Sequence, residues 1–184
     1  NGVNIDSYKS NKTYKSNKTY KIITTSRLVH KNGIDTLIDA VKLLKSPARL
    51  EILGDGPQGY ALELRAENLP KNVEIVFRGH IEPDQVPEYL TQADVFVRPS
   101  RSEGLGSAFL EAMAAGLPVV GTPVGGIVDF LRDGETGLFC RIDDPEDLAG
   151  KIEILLSDNK LRSRLAENGR KLVLENYSWD KISK

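Results

Sequence analysis

Two glutamates flank a glycine-containing turn in the middle of the sequence. Glu103 ends a loop, and Glu111 falls within the helix predicted to follow it, on the same helical face as Ser107. Gly104 and Gly106 let the backbone approach a ligand closely, so the N–H groups around them can donate to an anion or to sugar hydroxyls. A carboxylate on a helix face of small residues is costly to bury without a partner, and the two hydroxyls of a ribose would supply one. From this pattern alone, a Glu111 that simply faces water stays the alternative.

A second group of chemistry-bearing residues follows the first predicted strand. Arg27 and Lys31 lie in the loop of residues 25–33, which leads into a helix. Two cations beside the free N–H groups of a helix N-terminus suit a diphosphate. The alternative is that both are ordinary surface cations.

Two more glycine-containing turns follow strands. Residues 54–59 fit the G-x-G-x-x-G pattern of dinucleotide sites, but this turn follows the second strand and carries Asp55. The next strand also ends without an acid that could bind a ribose, so we expect these glycines only to shape a tight loop near a ligand. The turn of residues 122–126 is expected to line the same crevice.

Short apolar runs and segments with helical spacing alternate along the chain and position these loops. The predicted strands are residues 20–25, 49–53, 73–77, 94–97, 118–121 and 136–140. The predicted helices are residues 33–44, 57–67, 84–92, 105–115, 126–131, 145–156 and 159 to about 175. The alternation predicts an α/β fold, a Rossmann-like parallel sheet with helices on both faces, whose ligands bind at the carboxyl ends of the strands.

Composition narrows the class of protein. The 184 residues suffice for one compact domain, and a net charge of −1 argues against a nucleic-acid partner. Cys140 is the one cysteine, which excludes an internal disulfide and indicates a reducing compartment. The sequence has no apolar run long enough to span a membrane, and its polar first residues predict no signal peptide. His30 and His80 lack metal-ligand spacing, so no metal site is predicted.

The first twenty residues differ in composition from the rest. The hexapeptide Tyr-Lys-Ser-Asn-Lys-Thr occurs twice in a row between Tyr8 and Thr19. This lysine-rich repeat predicts a linker-like basic segment over residues 1–20, followed by the domain of residues 21–184. An electrostatic arm for acidic lipid or for an acceptor is the alternative.

The glutamate-bearing stretch carries a motif of high specificity. It reads Pro99-Ser-x-x-Glu103-Gly-x-Gly106 and continues as Glu111-Ala-Met-Ala-x-Gly-x-Pro-Val119. With its supporting matches, the chain resembles the C-terminal domain of the retaining glycosyltransferases of family 4, which have the two-domain GT-B fold. Those supporting matches are Arg27-Leu-Val, Gly54-Asp-Gly-Pro57, Phe77-Arg-Gly79, Gly125-Gly126 and Thr136-Gly-Leu138.

The resemblance implies that residues 21–184 bind a nucleoside diphosphate sugar without a metal or other cofactor. Arg27 and Lys31 would bind the diphosphate, Glu103 would contact the sugar, and these three would act in catalysis. Glu111 would hold the ribose hydroxyls. The other residues expected to bind the donor are Gly54, Arg78 near the base, and Gly104, Leu105, Gly106 and Ser107.

Two positions depart from the pattern of the family. Its usual lysine directly precedes the glycine, but that place is taken here by Asn32, which we count among the donor-binding residues, and the lysine stands one residue earlier. The aromatic residue usual between the two glycines of the motif is Leu105 here, a change that could alter sugar preference.

The resemblance also implies a missing N-terminal domain that binds the acceptor. The chain is therefore expected to be catalytically incomplete alone and to be cytoplasmic. A place at the inner face of the membrane is the alternative, with any peripheral membrane contact made through the missing domain. Two alternatives stay open, namely a noncatalytic nucleotide-sugar-binding domain and a nucleotide-sugar epimerase of the same architecture.

Overall fold

The computed structural model describes residues 19–177, so the prediction for the basic segment at residues 1–18 lies outside the described residues. Within this range the chain forms a parallel sheet of six strands in the order β3-β2-β1-β4-β5-β6. The strands are β1 (Tyr20–Thr25), β2 (Ala48–Leu53), β3 (Val73–Gly79), β4 (Val95–Arg98), β5 (Val119–Gly121) and β6 (Leu138–Phe139).

Helices connect the strands and complete the domain. They are α1 (Ile34–Lys42), α2 (Gly59–Arg65), α3 (Val86–Gln92), α4 (Ser107–Ala114), α5 (Pro145–Ser157) and α6 (Asn159–Asn176). Two short 3-10 turns, His30–Asn32 and Gly125–Asp129, lie in the loops after β1 and β5.

The alternation of side chains along the strands builds a core on each face of the sheet. Ile22 of β1 packs in a buried cluster with α1 and α5, and Ile23 packs in a second cluster with α3, α4 and α6. Val95 and Phe96 of β4 divide between the same two clusters. Helices therefore cover both faces, and the predicted α/β, Rossmann-like fold class is confirmed.

Most predicted bounds shift by a few residues, among them those of α4, of residues 126–131 and of β6. Helix α4 begins at Ser107 rather than at residue 105, because Gly106 is left-handed with a φ of 73°. The helix predicted at residues 126–131 is the 3-10 turn Gly125–Asp129. Strand β6 is shorter than predicted because the Thr136 hydroxyl donates to the Phe130 carbonyl, 2.9 Å away, and accepts from the Arg132 N–H, 2.8 Å away, within a turn.

The strand order reverses between β1 and β4. From β1 the chain continues outward to β2 and β3, whereas from β4 it continues to β5 and β6 on the other side. The loops after β1 and β4 therefore diverge from adjacent strands, which leaves a crevice at their carboxyl ends. Both loops that were predicted to carry chemistry leave the sheet at this point.

The two loops pack against each other so tightly that a side chain is excluded. Gly33, at the start of α1, has a φ of 67°, and a Cβ atom added there would overlap the carbonyl oxygen of Pro99. Gly33 thus fixes the distance between the loop after β1 and the loop after β4.

We expect Gly33→Ala to lower the free energy of unfolding by about 3 kcal/mol or more, because it adds a steric overlap to the strain of a left-handed alanine. The matched control is Gly134→Ala, since Gly134 has a φ of 72° and no atom within 4 Å of its added Cβ. That control should cost only about 1–2 kcal/mol, the strain of the left-handed backbone. Equal losses for the two variants in urea unfolding would contradict this account of the loop contact.

Candidate functional site

A cavity of about 600 Å³ opens where the loops after β1 and β4 diverge. Three of its lining residues are cations, Arg27 and Lys31 from the first loop and Arg98 from the end of β4. Val29, His30 and Asn32 complete the lining. Three cations on the wall of one cavity suit a ligand with several negative charges, such as a diphosphate.

Arg98 lines this cavity but was not among the site residues predicted from the sequence. Its residue exposure is 9%, and its guanidinium donates to the carbonyl of Thr25 at 3.2 Å and to the hydroxyl of Ser100 at 3.2 Å. It also forms an ion pair with Glu103. The available signal was an arginine at the end of an apolar strand, because a cation in that position is nearly buried and needs an acceptor.

The Glu103 carboxylate is held by three donors. Besides Arg98, the hydroxyl of Ser100 lies 3.3 Å from one carboxylate oxygen, and the N–H of Gly104 donates to the other at 3.1 Å. The backbone is fixed as well, because Gly126 donates to the Gly104 carbonyl at 2.8 Å. Glu103 is therefore an oriented carboxylate beside the cationic cavity.

The turn after Glu103 presents backbone to the solvent at the start of α4. Gly104, Leu105 and Ser107 are exposed, and Gly106 is the left-handed residue at the N-cap. The first N–H groups of a helix have no acceptor within the helix, so those of Ser107 and Ala108 are available to a ligand, whereas the N–H of Phe109 donates to the carbonyl of Gly106 at 2.9 Å. The structure thus places these four predicted residues on one surface next to Glu103.

Glu111 lies one helical turn after Ser107, half-buried, on a face of α4 that includes the buried Ala108. Among residues 19–177 its carboxylate has no hydrogen-bond or ion-pair partner. Burial raises the pKa of Glu111, and the nearby positive charge of Arg98 offsets part of this rise. A desolvated carboxylate without a donor is suited to accept hydrogen bonds from a ligand diol.

Asn32 and Lys31 face different surroundings. Asn32 is 3% exposed, and its amide nitrogen donates to the carbonyl of Arg27 at 2.7 Å, so it supports the loop that carries Arg27. Its side-chain oxygen has no partner within the described residues. Lys31 is exposed and lines the cavity, so the structure brings it beside Arg27.

Arg78 lies apart from this cavity. It donates to the buried carboxylate of Glu51 at 3.1 Å and lies 5.8 Å from the centre of the Tyr89 ring. The hydrogen bond from Arg78 to Glu51 raises the pKa of the guanidinium. Gly54 donates its N–H to the carbonyl of Gly79 at 2.7 Å, so the loops after β2 and β3 are adjacent.

Other chemistry is limited in the described part of the chain. Residues 19–177 contain no group of three or more His, Cys, Asp or Glu side chains that could hold a metal ion. Burial raises the pKa of Cys140 to about 12, so its thiol is neutral and a poor nucleophile. None of the helices in this range is both long and apolar enough to cross a membrane.

Comparison with known proteins identifies relatives for most of the chain. The family model described as "Glycosyl transferases group 1" matches residues 7–172. A lipopolysaccharide core biosynthesis glycosyltransferase, LpsE of Rhizobium meliloti, is 38% identical over 161 residues, which are 88% of this chain and 46% of the relative. The N-acetyl-alpha-D-glucosaminyl L-malate synthase of Bacillus anthracis is 35% identical over 135 residues, which are 73% of this chain and 35% of the relative.

Solved structures extend the likeness to the fold. The C-terminal domain of LpcC, a glycosyl transferase group 1 family protein from Francisella tularensis, has a TM-score of 0.84 and 27% identity, covering 97% of this chain and 100% of that domain. HepE of Anabaena, solved with UDP and glucose, has a TM-score of 0.85 and 23% identity, and the match covers 99% of this chain and 53% of HepE. The chain spans less than half the length of the two curated relatives named above.

The unpartnered Glu111 should make the ligand-free chain less stable as the pH rises. The raised pKa means that the folded chain keeps a proton that the unfolded chain loses from about its ordinary value of 4.5 upward. The contribution of Glu111 to the stability of the wild type therefore falls through this range, whereas the glutamine of Glu111→Gln does not titrate. We expect the Gln variant to match the wild type near pH 3 and to unfold at a higher temperature at pH 7.

The exposed Glu135 provides the control, because Glu135→Gln removes a carboxylate that is already in contact with solvent in the folded chain. A Glu111→Gln variant that is less stable than the wild type at pH 7 would contradict this prediction, because it would show that the folded chain already stabilises the charged form of this carboxylate.

Proposed function

This chain belongs to the glycosyl transferases group 1 family, and we propose that it binds the nucleotide-sugar donor in the cavity between the loops after β1 and β4. The enzyme would transfer the sugar from a nucleoside diphosphate to a hydroxyl group of an acceptor. One observation carries the proposal: Arg27, Lys31 and Arg98 line a single cavity. The half-buried carboxylate of Glu111 also supports the proposal. It lies on α4, the helix that follows the loop after β4.

The cations would bind the diphosphate, which is also the leaving group of the reaction. As the bond between the sugar and the phosphate breaks, negative charge builds up on the diphosphate and needs fixed positive charge nearby. Arg27 and Lys31 line the cavity without an ion-pair partner among residues 19–177 and can supply it, and the N–H groups at the start of α4 add their dipoles. This arrangement stabilises charge without a metal, so we propose a metal-independent reaction.

The two glutamates would bind the two remaining polar parts of the donor, the ribose and the sugar. We propose that Glu111 accepts hydrogen bonds from the ribose hydroxyls, since its carboxylate has no partner within residues 19–177. Glu103 would contact the sugar, together with the backbone of Gly104–Ser107 and the exposed side chain of Leu105. The base would lie toward Gly54 and the backbone after Arg78, because the guanidinium of Arg78 is bound to Glu51.

We further propose membership of family 4 and transfer with retention of configuration, which rest on the sequence motif. The acceptor would bind to a separate N-terminal domain, because one α/β layer lines a single side of a cleft. The match of the chain to an isolated C-terminal domain supports this division of labour. Cys140 agrees with a reducing compartment, so we place the enzyme in the cytoplasm, with any contact to the inner face of the membrane made through the other domain.

Binding measurements on two glutamine variants test the assignment. Glu111→Gln should weaken the bare nucleoside diphosphate and the nucleotide sugar alike, by about 1.5–3 kcal/mol, since both ligands contain the ribose. Glu103→Gln should leave the bare diphosphate nearly unchanged and weaken the nucleotide sugar. Isothermal calorimetry with uridine, guanosine and adenosine diphosphates and their glucose or mannose derivatives covers the unknown base and sugar.

Glu135→Gln is again the matched control, because Glu135 lies in the turn before β6 rather than in the cavity. The reverse pattern, in which only Glu103→Gln weakens the bare diphosphate, would show that the two roles are exchanged. If none of the three diphosphates binds to the wild type, the proposed function fails. In a longer protein with the second domain, epimerisation of the nucleotide sugar without transfer would favour the epimerase alternative.

A further inference from the structure

Arg101 joins three loops at the carboxyl end of the sheet. It lies in the loop after β4, and its guanidinium donates two hydrogen bonds of 2.9 Å to the carboxylate of Asp35 in the first turn of α1. Its Nε lies 2.6 Å from the carboxylate of Asp143, in the loop after β6. The side chain of Arg101 is 17% exposed and that of Asp35 is 28% exposed, so this pair is partly shielded from water, whereas Asp143 is exposed.

The same residue also holds the 3-10 turn His30–Asn32, which carries Lys31. The guanidinium donates to the carbonyl of His30 at 2.6 Å, and the backbone N–H of Arg101 donates to the carbonyl of Lys31 at 2.7 Å. Ser102 adds a longer bond of 3.3 Å to the Lys31 carbonyl. Two consecutive carbonyls of this turn are therefore bound by one residue of another loop.

We infer that Arg101 is a positioning residue that fixes the place of Lys31 in the donor cavity. This inference rests on the proposed function for its consequence, although the contacts that carry it do not. The lysine of this chain stands one residue before the position usual in the family it resembles, and Asn32 occupies that position as a buried support. The turn held by Arg101 is what brings the displaced lysine to the cavity wall.

The geometry requires an arginine rather than a cation in general. A planar guanidinium can bind the Asp35 carboxylate with two parallel hydrogen bonds and still reach Asp143 and the His30 carbonyl, whereas an ammonium group cannot. Burial raises the pKa of Asp35, but the hydrogen bond and charge of Arg101 outweigh burial and lower it. The two aspartates and the arginine thus form one ionised group next to the lysine turn.

Two substitutions separate position from charge. Arg101→Gln removes the charge and most of the contacts, and Arg101→Lys keeps the charge but loses the paired bonds to Asp35. If Arg101 acts by position, both variants weaken the best-bound of uridine, guanosine and adenosine diphosphate by about tenfold, which corresponds to about 1.4 kcal/mol. An Arg101→Lys variant that binds like the wild type would overturn the inference, because charge alone would then suffice.

Arg65→Gln is the matched control for the loss of an arginine–aspartate pair. Arg65, at the end of α2, binds Asp39, which lies in α1 as Asp35 does. The two hydrogen bonds of this pair measure 2.8 and 2.5 Å and lie away from the cavity. This variant should bind the diphosphate as the wild type does. An equal loss of affinity in Arg65→Gln would assign the effect of Arg101 to the general stability of α1 and would contradict a specific role.

A double-mutant cycle tests whether Arg101 acts through Lys31. In a chain that already carries Lys31→Ala, Arg101→Lys should change the diphosphate affinity by less than about twofold, because the group it positions is absent. Independent effects, with the tenfold loss retained in the Lys31→Ala background, would overturn the inference.

Hydrogen exchange of the ligand-free chain provides a readout that is independent of donor binding. The amides of Asn32 and Gly33, which close the turn onto Val29 and His30, should exchange faster in Arg101→Lys than in the wild type and in Arg65→Gln. Unchanged exchange would refute the positioning role even if the affinity falls. Faster exchange in a chain whose wild type binds none of the three diphosphates would refute the proposed function and leave the hold of Arg101 on the turn established.

Discussion

The cavity that is proposed to bind the donor depends on a nearly buried arginine at the end of β4. A guanidinium with a residue exposure of 9% is destabilising unless its donors are matched by acceptors. Arg98 finds them in the carbonyl of Thr25 at the end of β1, in the hydroxyl of Ser100 and in the carboxylate of Glu103. These contacts bind the loop after β4 to the end of β1. Arg98 therefore both adds positive charge to the cavity and orients the carboxylate of Glu103.

Close backbone contacts also hold the loops around the cavity next to one another. Gly125, with a φ of 53°, packs on the carbonyl of Glu103, where a Cβ atom would overlap it, and Arg101 binds the turn that carries Lys31. The loops are therefore held by close backbone packing at glycines together with the side-chain contacts of Arg98 and Arg101. Such a scaffold keeps cations and N–H groups oriented before a ligand arrives, which is what electrostatic stabilisation of a leaving group requires.

Much of this architecture could be predicted from the sequence because it is encoded locally. Within residues 19–177 the apolar runs and helical spacings identified the six strands and the six α-helices, and the small residues around Glu111 indicated a carboxylate that needs a partner. The start of α4 was misplaced by two residues because Gly106 adopts a left-handed conformation, which a glycine permits but does not require. Roles assigned to Arg27, Lys31, Glu103 and Glu111 stay predictions, although the structure places them on adjoining loops.

The contacts missing from the sequence analysis are those between residues distant in the chain. Arg98 meets Thr25, 73 residues away, and Arg101 meets Asp35, 66 residues away, so neither pairing leaves a local pattern. Asn32 shows the same limit, since its hydrogen bond to the carbonyl of Arg27 left no signal in the motif, and its predicted ligand contact stays a prediction.

The most direct test of the central claim is an NMR titration of the ¹⁵N-labelled chain with uridine, guanosine and adenosine diphosphates. If the cavity binds the donor, one of them should shift the amides of the loop after β1 and of residues 103–107 at the start of α4, in a saturable way. Shifts confined to the polar cavity between α6 and the turn before β6, or no shifts with any of the three, would contradict a donor site at the ends of β1 and β4.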